Sequence, residues 1–176
     1  MKIIKYLSVL VLLVSCSKRI NITELIIPEN FEGSIMVFYG VKNGHNDKDI
    51  NNKVTYKIPK DGIYYTQNLF GHGFVLEQYY YDAKGEKKKI ENIVFAKYHK
   101  TYVKEKLYVV EDLPSLNRFI NEEKGQLDCY GLIISSDTTK IYREEVRKKT
   151  EKKFDSIANY LIKNNLVHGE KHAFKR

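Results

Sequence analysis

Ile26-Ile27-Pro28-Glu29-Asn30-Phe31-Glu32-Gly33-Ser34-Ile35-Met36-Val37-Phe38-Tyr39-Gly40, with Lys53-Val54-Thr55-Tyr56-Lys57-Ile58-Pro59-Lys60-Asp61-Gly62-Ile63-Tyr64-Tyr65 after it, decides the fold class. Short apolar runs end at a proline or start after a glycine, which is the punctuation of strands and turns. Val54, Tyr56 and Ile58 alternate with Thr55 and Lys57, as on a half-buried strand. Ser34–Tyr39 is apolar on both faces apart from Ser34 and reads as a central strand. Pro59-Lys60-Asp61-Gly62 is a turn, because proline presets φ and glycine supplies a positive one. Gly33 and Gly62 are the two positions where a positive φ is expected.

Outward from this stretch, Thr23–Pro28 predicts a first strand that ends at Pro28, which has no N–H to donate. Val41–Asn52 reads as a polar loop and Ile63–Gln67 as a strand. Phe74–Tyr81 and Lys87–Phe95 read as a hairpin around Asp82-Ala83-Lys84-Gly85. Ala96–Lys106 reads as loop or short helix. Leu107–Val110 reads as a strand stopped by Glu111-Asp112-Leu113-Pro114, and Leu127–Ser135 as the last strand. Leu116, Phe119 and Ile120 have helical spacing, with Ser115 as a cap, and predict a short helix over 115–122. A long helix is expected from Asp137 or Thr138 to about residue 165. Its seam is Val146, Thr150, Phe154, Ile157, Leu161 and Ile162, narrow enough to dock on the chain's own sheet.

The chain has 176 residues, 43% of them apolar, which suits one packed domain plus an export signal. Fourteen Tyr against eight Phe favour strands, where amphipathic rings fit a half-buried surface. The expectation is a mainly β fold: a single antiparallel β-sandwich, immunoglobulin-like or transthyretin-like, over residues 24–135. A charged amphipathic helix and tail follow over 136–176. An α+β domain is the alternative, given the length of that helix.

The N-terminus sets the compartment. Met1–Lys5 is basic and Tyr6–Val14 apolar, too short for a membrane span of roughly 20 residues and suited to a signal peptide. Leu13-Val14-Ser15-Cys16 then resembles the lipobox of bacterial lipoproteins. The resemblance implies cleavage between Ser15 and Cys16, after residues 1–15. It also implies diacylglyceryl attachment at Cys16 and a short tether over 16–23. Two or three acyl chains hold stably, since each buried methylene contributes about 0.8 kcal/mol. The formal charge is +8, and removal of Lys2 and Lys5 with the signal leaves +6. An exported chain argues against nucleic acid as the partner of that charge. A solvated face, anionic lipid or polysaccharide remain.

Ile-Pro-Glu-x-Phe-x-Gly before an apolar strand, then Tyr-x-Ile-Pro-x-Asp-Gly-Ile, resembles a family of small bacterial lipoprotein domains of unknown function. Gln78-Tyr79-Tyr80-Tyr81-Asp82-Ala83-Lys84-Gly85 resembles that family's later hairpin. The likeness covers roughly residues 24–135. It departs at the polar 42–52 loop, where a proline-containing segment is commoner. It implies architecture and a lipoprotein context, and carries no catalytic residue.

No catalytic constellation emerges. His45, His72, His99, His168 and His172 form no zinc-binding spacing. Gly71-His72-Gly73 and Gly40–Gly44 lack the strand–turn–helix setting of a phosphate loop. Asn46, Asp47, Asp49 and Asn51 have calcium-loop composition without its spacing or its later glutamate. Cys129 lies in an apolar strand and reads as a small hydrophobe. His72 with Tyr79, Tyr80 and Tyr81 is the candidate ligand surface. The reading is a non-enzymatic binding or structural module on the cell envelope. It takes no metal or cofactor, and its partners are the membrane and an envelope protein or polysaccharide. A hydrolase with a dispersed site is the alternative.

Overall fold

A computed structural model describes residues 21–70, 75–83, 85–98, 100, 102–104 and 106–168. Residues 1–15, where a signal peptide is expected, and Cys16 and His72 lie outside them. The elements are β1 (Asn21–Pro28), β2 (Gly33–Phe38), β3 (Lys53–Lys57), β4 (Ile63–Tyr65), β5 (Val75–Ala83) and β6 (Glu86–Lys89), then α1 (Ile93–Tyr98), β7 (Tyr108–Asn121), β8 (Gly125–Ser135) and α2 (Lys140–Lys163). They build two four-stranded sheets, β3-β1-β5-β6 and β4-β2-β8-β7. The fold is therefore mainly β, with a C-terminal helix, as expected.

The antiparallel pairing expected throughout is corrected: both sheets are mixed. β1 runs parallel to β3 and to β5, and β2 parallel to β4. Among the described strands, β2/β8, β5/β6 and β7/β8 are the antiparallel pairs. The cause is the path of the chain. From β1 to β5 successive strands alternate between the sheets, so each return points the same way as the earlier strand it joins: β3 and β5 flank β1, and β4 lies beside β2. The turns after Pro28 and Pro59 are real turns, with Phe31 N–H on the Pro28 carbonyl and Gly62 N–H on that of Pro59. They are arches between sheets, whereas hairpins would join neighbours. Both expected positive φ values are present, +125° at Gly33 and +75° at Gly62.

Two further expectations fail. The run 87–95 leaves the sheet after Lys89, because Asn92 caps a short helix there: its Oδ1 accepts the Val94 N–H at 2.9 Å. Residues 115–121 are strand and Glu122 opens the turn that follows. β7 continues through Glu111–Pro114 to Asn121, absorbing three register shifts against β8, one of which brackets Pro114. β7 is an edge strand, where the missing proline N–H costs no ladder bond, and the bulges let Leu116 pack inward while Phe119 stays exposed.

Leu25, Ile27, Ile35, Val37, Tyr56, Leu132 and Ile134 fill the space between the sheets. The other face of the second sheet is closed by α2. Thr150, Phe154, Ala158 and Leu161 are its buried residues, and the Phe154 ring stacks on Phe38 at 5.7 Å and 7°. The helix starts at Thr139, whose hydroxyl accepts the Tyr142 N–H. It ends in a Schellman motif: Leu166 N–H reaches the Leu161 carbonyl, with Asn165 at φ 53°. The chain then returns to β2, bonding Lys42 N–H to Leu166 O and His168 N–H to Gly40 O, both at 2.8 Å. No helix among the described residues is long and apolar enough to cross a membrane.

Candidate functional site: the outer face of the first sheet

β1 puts Leu25 and Ile27 into the core, so Glu24 belongs to the opposite, outer face of the first sheet. It is nevertheless only 1% exposed. Its register partner on β3, Thr55, donates its hydroxyl to Oε2 at 3.2 Å. Lys53 contacts the same oxygen, and Lys87, reaching from β6, donates to Oε1 at 3.2 Å. Burial pushes the carboxyl pKa up. The two lysine hydrogen bonds and their charges outweigh it and hold the group below its ordinary value. Glu24 is thus an ionised, fully hydrogen-bonded acceptor at neutral pH, a poor proton donor and a poor base. Lys57 and Lys89 are exposed farther along the outer strands.

Beside this group lies a cleft of about 490 Å³ lined by Ile22, Asp47, Lys48, Ile50, Asn51, Lys53 and Thr55. The 42–52 loop that forms its wall is fixed. Asp47 accepts the Tyr64 hydroxyl at 2.7 Å and the Thr66 hydroxyl at 2.8 Å, and its carbonyl accepts from Asn68. His45 stacks on Tyr64 with ring centroids 4.8 Å apart. A Cβ on Gly44 would come within 2.8 Å of the Tyr65 and Thr66 backbone, so this approach needs glycine. Burial, then donation to Asp47, pushes the Tyr64 phenol well above its usual range.

Tyr79, Tyr80 and Tyr81 lie on β5 of this same sheet, in register with Leu25, Ile26 and Ile27 of β1. Tyr80 and Tyr81 also pair with Lys89 and Lys88 of β6. Cys129 is buried on β8, and burial pushes its thiol well above the ordinary value, which suits an inert core residue. Among the described residues no group of three or more His, Cys, Asp or Glu could hold a metal ion. Glu24 was missed by motif reading. Its signal is a single carboxylate directly before Leu25-Ile26-Ile27, in a sheet whose outer strands β3 and β6 carry lysines.

These features define a two-sheet module with one sheet face covered by a helix and the other carrying a basic outer surface. Residues 21–126 match the model of a family described as of unknown function, DUF6843, and the chain belongs to that family. A crystal structure of a candidate lipoprotein from Bacillus anthracis is similar, with 16% identity over 76% of this chain and 94% of that one, and a TM-score of 0.48. No curated protein matches the chain.

Proposed function

We propose that the chain is a bacterial envelope lipoprotein, held on a membrane through a lipidated Cys16 and acting as a binding or bracing module without catalysis. The observation that carries this is Leu13-Val14-Ser15-Cys16 in register behind a basic and an apolar segment, with the first strand beginning five residues later. The state of the buried ionisable groups favours binding over catalysis: Glu24 is neutralised by two lysines and the Cys129 thiol is silenced by burial. The two-layer packing has the display role of an immunoglobulin-like or transthyretin-like sandwich, although its strand directions differ. The outer face of the first sheet is the presented surface. Counting register positions on β1, β3 and β6, four lysines (53, 57, 87 and 89) share this face with Glu24, which fits an acidic polysaccharide or an acidic envelope protein. The test is Cys16→Ala together with globomycin treatment. Cys16→Ala should abolish lipid labelling and cleavage before residue 16, whereas globomycin, which blocks the peptidase after lipid transfer, should leave the precursor uncleaved but still lipidated. A mature protein that stays in the aqueous phase, or begins elsewhere than Cys16, refutes the reading.

A further inference from the structure

The anchor and the fold together specify which part of the domain meets the bilayer. From Cys16 to Asn21 there are five Cα–Cα steps, at most about 18 Å when fully extended. Asn21 opens β1, and Ile22 N–H is bonded to the Asn52 carbonyl at 2.8 Å. The 42–52 loop therefore sits where the tether enters. The chain reverses between β1 and β2, so the end of β2 lies at this same pole. There the Val41–Val167 bridge, Lys42 N–H on Leu166 O and His45 N–H on Tyr65 O tie the loop to the segment after α2 and to the end of β4. β5 also begins here, since Val75 stands opposite Asn21. The result is a fixed rim.

Two large aliphatic side chains project from that rim into solvent, Ile50 at 66% exposure and Leu69 at 55%. Ile50 lines the cleft with Ile22, and Leu69 Cδ2 lies where a Cβ on Gly40 would be 3.4 Å away. Across 42–53, 121–125 and 163–168 there are five lysines against four carboxylates, so net charge does not drive this end onto or off a surface. Covalent reach does. A short tether keeps the rim at an effective concentration in the millimolar range relative to the membrane, so weak apolar contacts suffice.

We propose that this rim rests in the headgroup layer of the leaflet that takes the Cys16 lipid, with Ile50 and Leu69 as its apolar contacts. The proposal rests on the lipoprotein reading above. The opposite pole then faces away: Ile141, 73% exposed, lies in the first turn of α2 and is separated from Lys163 by about 33 Å of helix at 1.5 Å per residue.

The chain contains no tryptophan, so a single introduced indole reports its own surroundings. The full-length protein, processed and purified with its lipid, is reconstituted into phosphatidylcholine vesicles as Ile50→Trp, Leu69→Trp and Ile141→Trp. The expected result is co-flotation of all three. Emission should be blue-shifted and quenched by brominated lipid at positions 50 and 69, and water-like and unquenched at 141. Co-flotation with water-like emission at both 50 and 69 overturns the rim contact while leaving the anchor standing, as does equal quenching at all three positions. Failure to float refutes the anchor, and the rim proposal falls with it.

Discussion

Gly62 and Gly33 look alike in sequence, each closing a proline-started turn, yet the structure separates them sharply. Both have positive φ, but a Cβ at Gly33 would meet nothing within 4 Å. At Gly62 it would lie 2.4 Å from the Ser34 carbonyl oxygen and 2.9 Å from Phe31 Cζ. Phe31 can swing aside. The carbonyl cannot, because Ser34 is inside β2 and pairs with Ile133 of β8. Gly62→Ala thus carries a left-handed backbone cost of about 1–2 kcal/mol and an overpacking cost of about 1–3 kcal/mol, together roughly 2–5 kcal/mol. Gly33→Ala carries backbone strain alone, about 1–3 kcal/mol. Urea unfolding of the Cys16→Ser chain without residues 1–15 should show a lower midpoint for both, larger for Gly62, at unchanged slope. If the two losses are equal, β4 does not press on β2 as described, and the arch that starts β4 is placed differently.

Glu24→Gln should be less stable than the parent at neutral pH and should converge on it in acid. The folded carboxyl pKa is depressed, so its contribution is complete above the unfolded value of 4.5 and is lost as pH falls through the folded one; urea midpoints from pH ~3 to ~7 measure this, and parallel curves would remove Glu24 from the stability of the first sheet. Phe154→Ala should cost about 3–5 kcal/mol, since a ring 4% exposed and stacked on Phe38 is deleted; thermal unfolding checks it, and an unchanged melt would mean that α2 does not cover the second sheet.

Strand ends were legible because proline and glycine act locally. Pro28, Pro59 and Gly62 stop and restart strands whatever lies beyond them. Strand neighbours were not legible, because an arch between sheets and a hairpin use the same turn residues. What separates them is pairing across distance, such as Asn21 with Val75. Around Leu116, Phe119 and Ile120 the helical spacing misled for a related reason. A bulge adds a residue to one strand and breaks the period of two, leaving apolar positions three and four apart. The helix over 140–163 was readable because its period extends over many turns, and Thr150, Phe154 and Leu161 of its expected seam are buried. The tyrosine run 79–81 lies on β5, directly beside β1, so it shares a sheet with Glu24. Glu24 escaped because its importance comes from Lys87, 63 residues away, reaching over the sheet.

The boundaries of the family match and of the physical folding unit differ, and the packing says why. The match ends at residue 126. β8 begins at Gly125, and it is the strand that joins β2 to β7 in the second sheet. A chain stopped at 126 would therefore leave β4-β2 and β7 as separate pieces with unpaired edges. It would also uncover Met36 and Phe38, whose buried partners Leu127, Cys129, Phe154, Ala158, Leu161 and Val167 all come later in sequence. The last of these, Val167, bridges back to Val41 at the pole where β1 begins. The unit that can bury its own core thus runs from β1 to at least His168. The rim beside Asn21 is closed only when the C-terminal turn is in place, so the far end of the described chain completes the surface beside which its first strand begins.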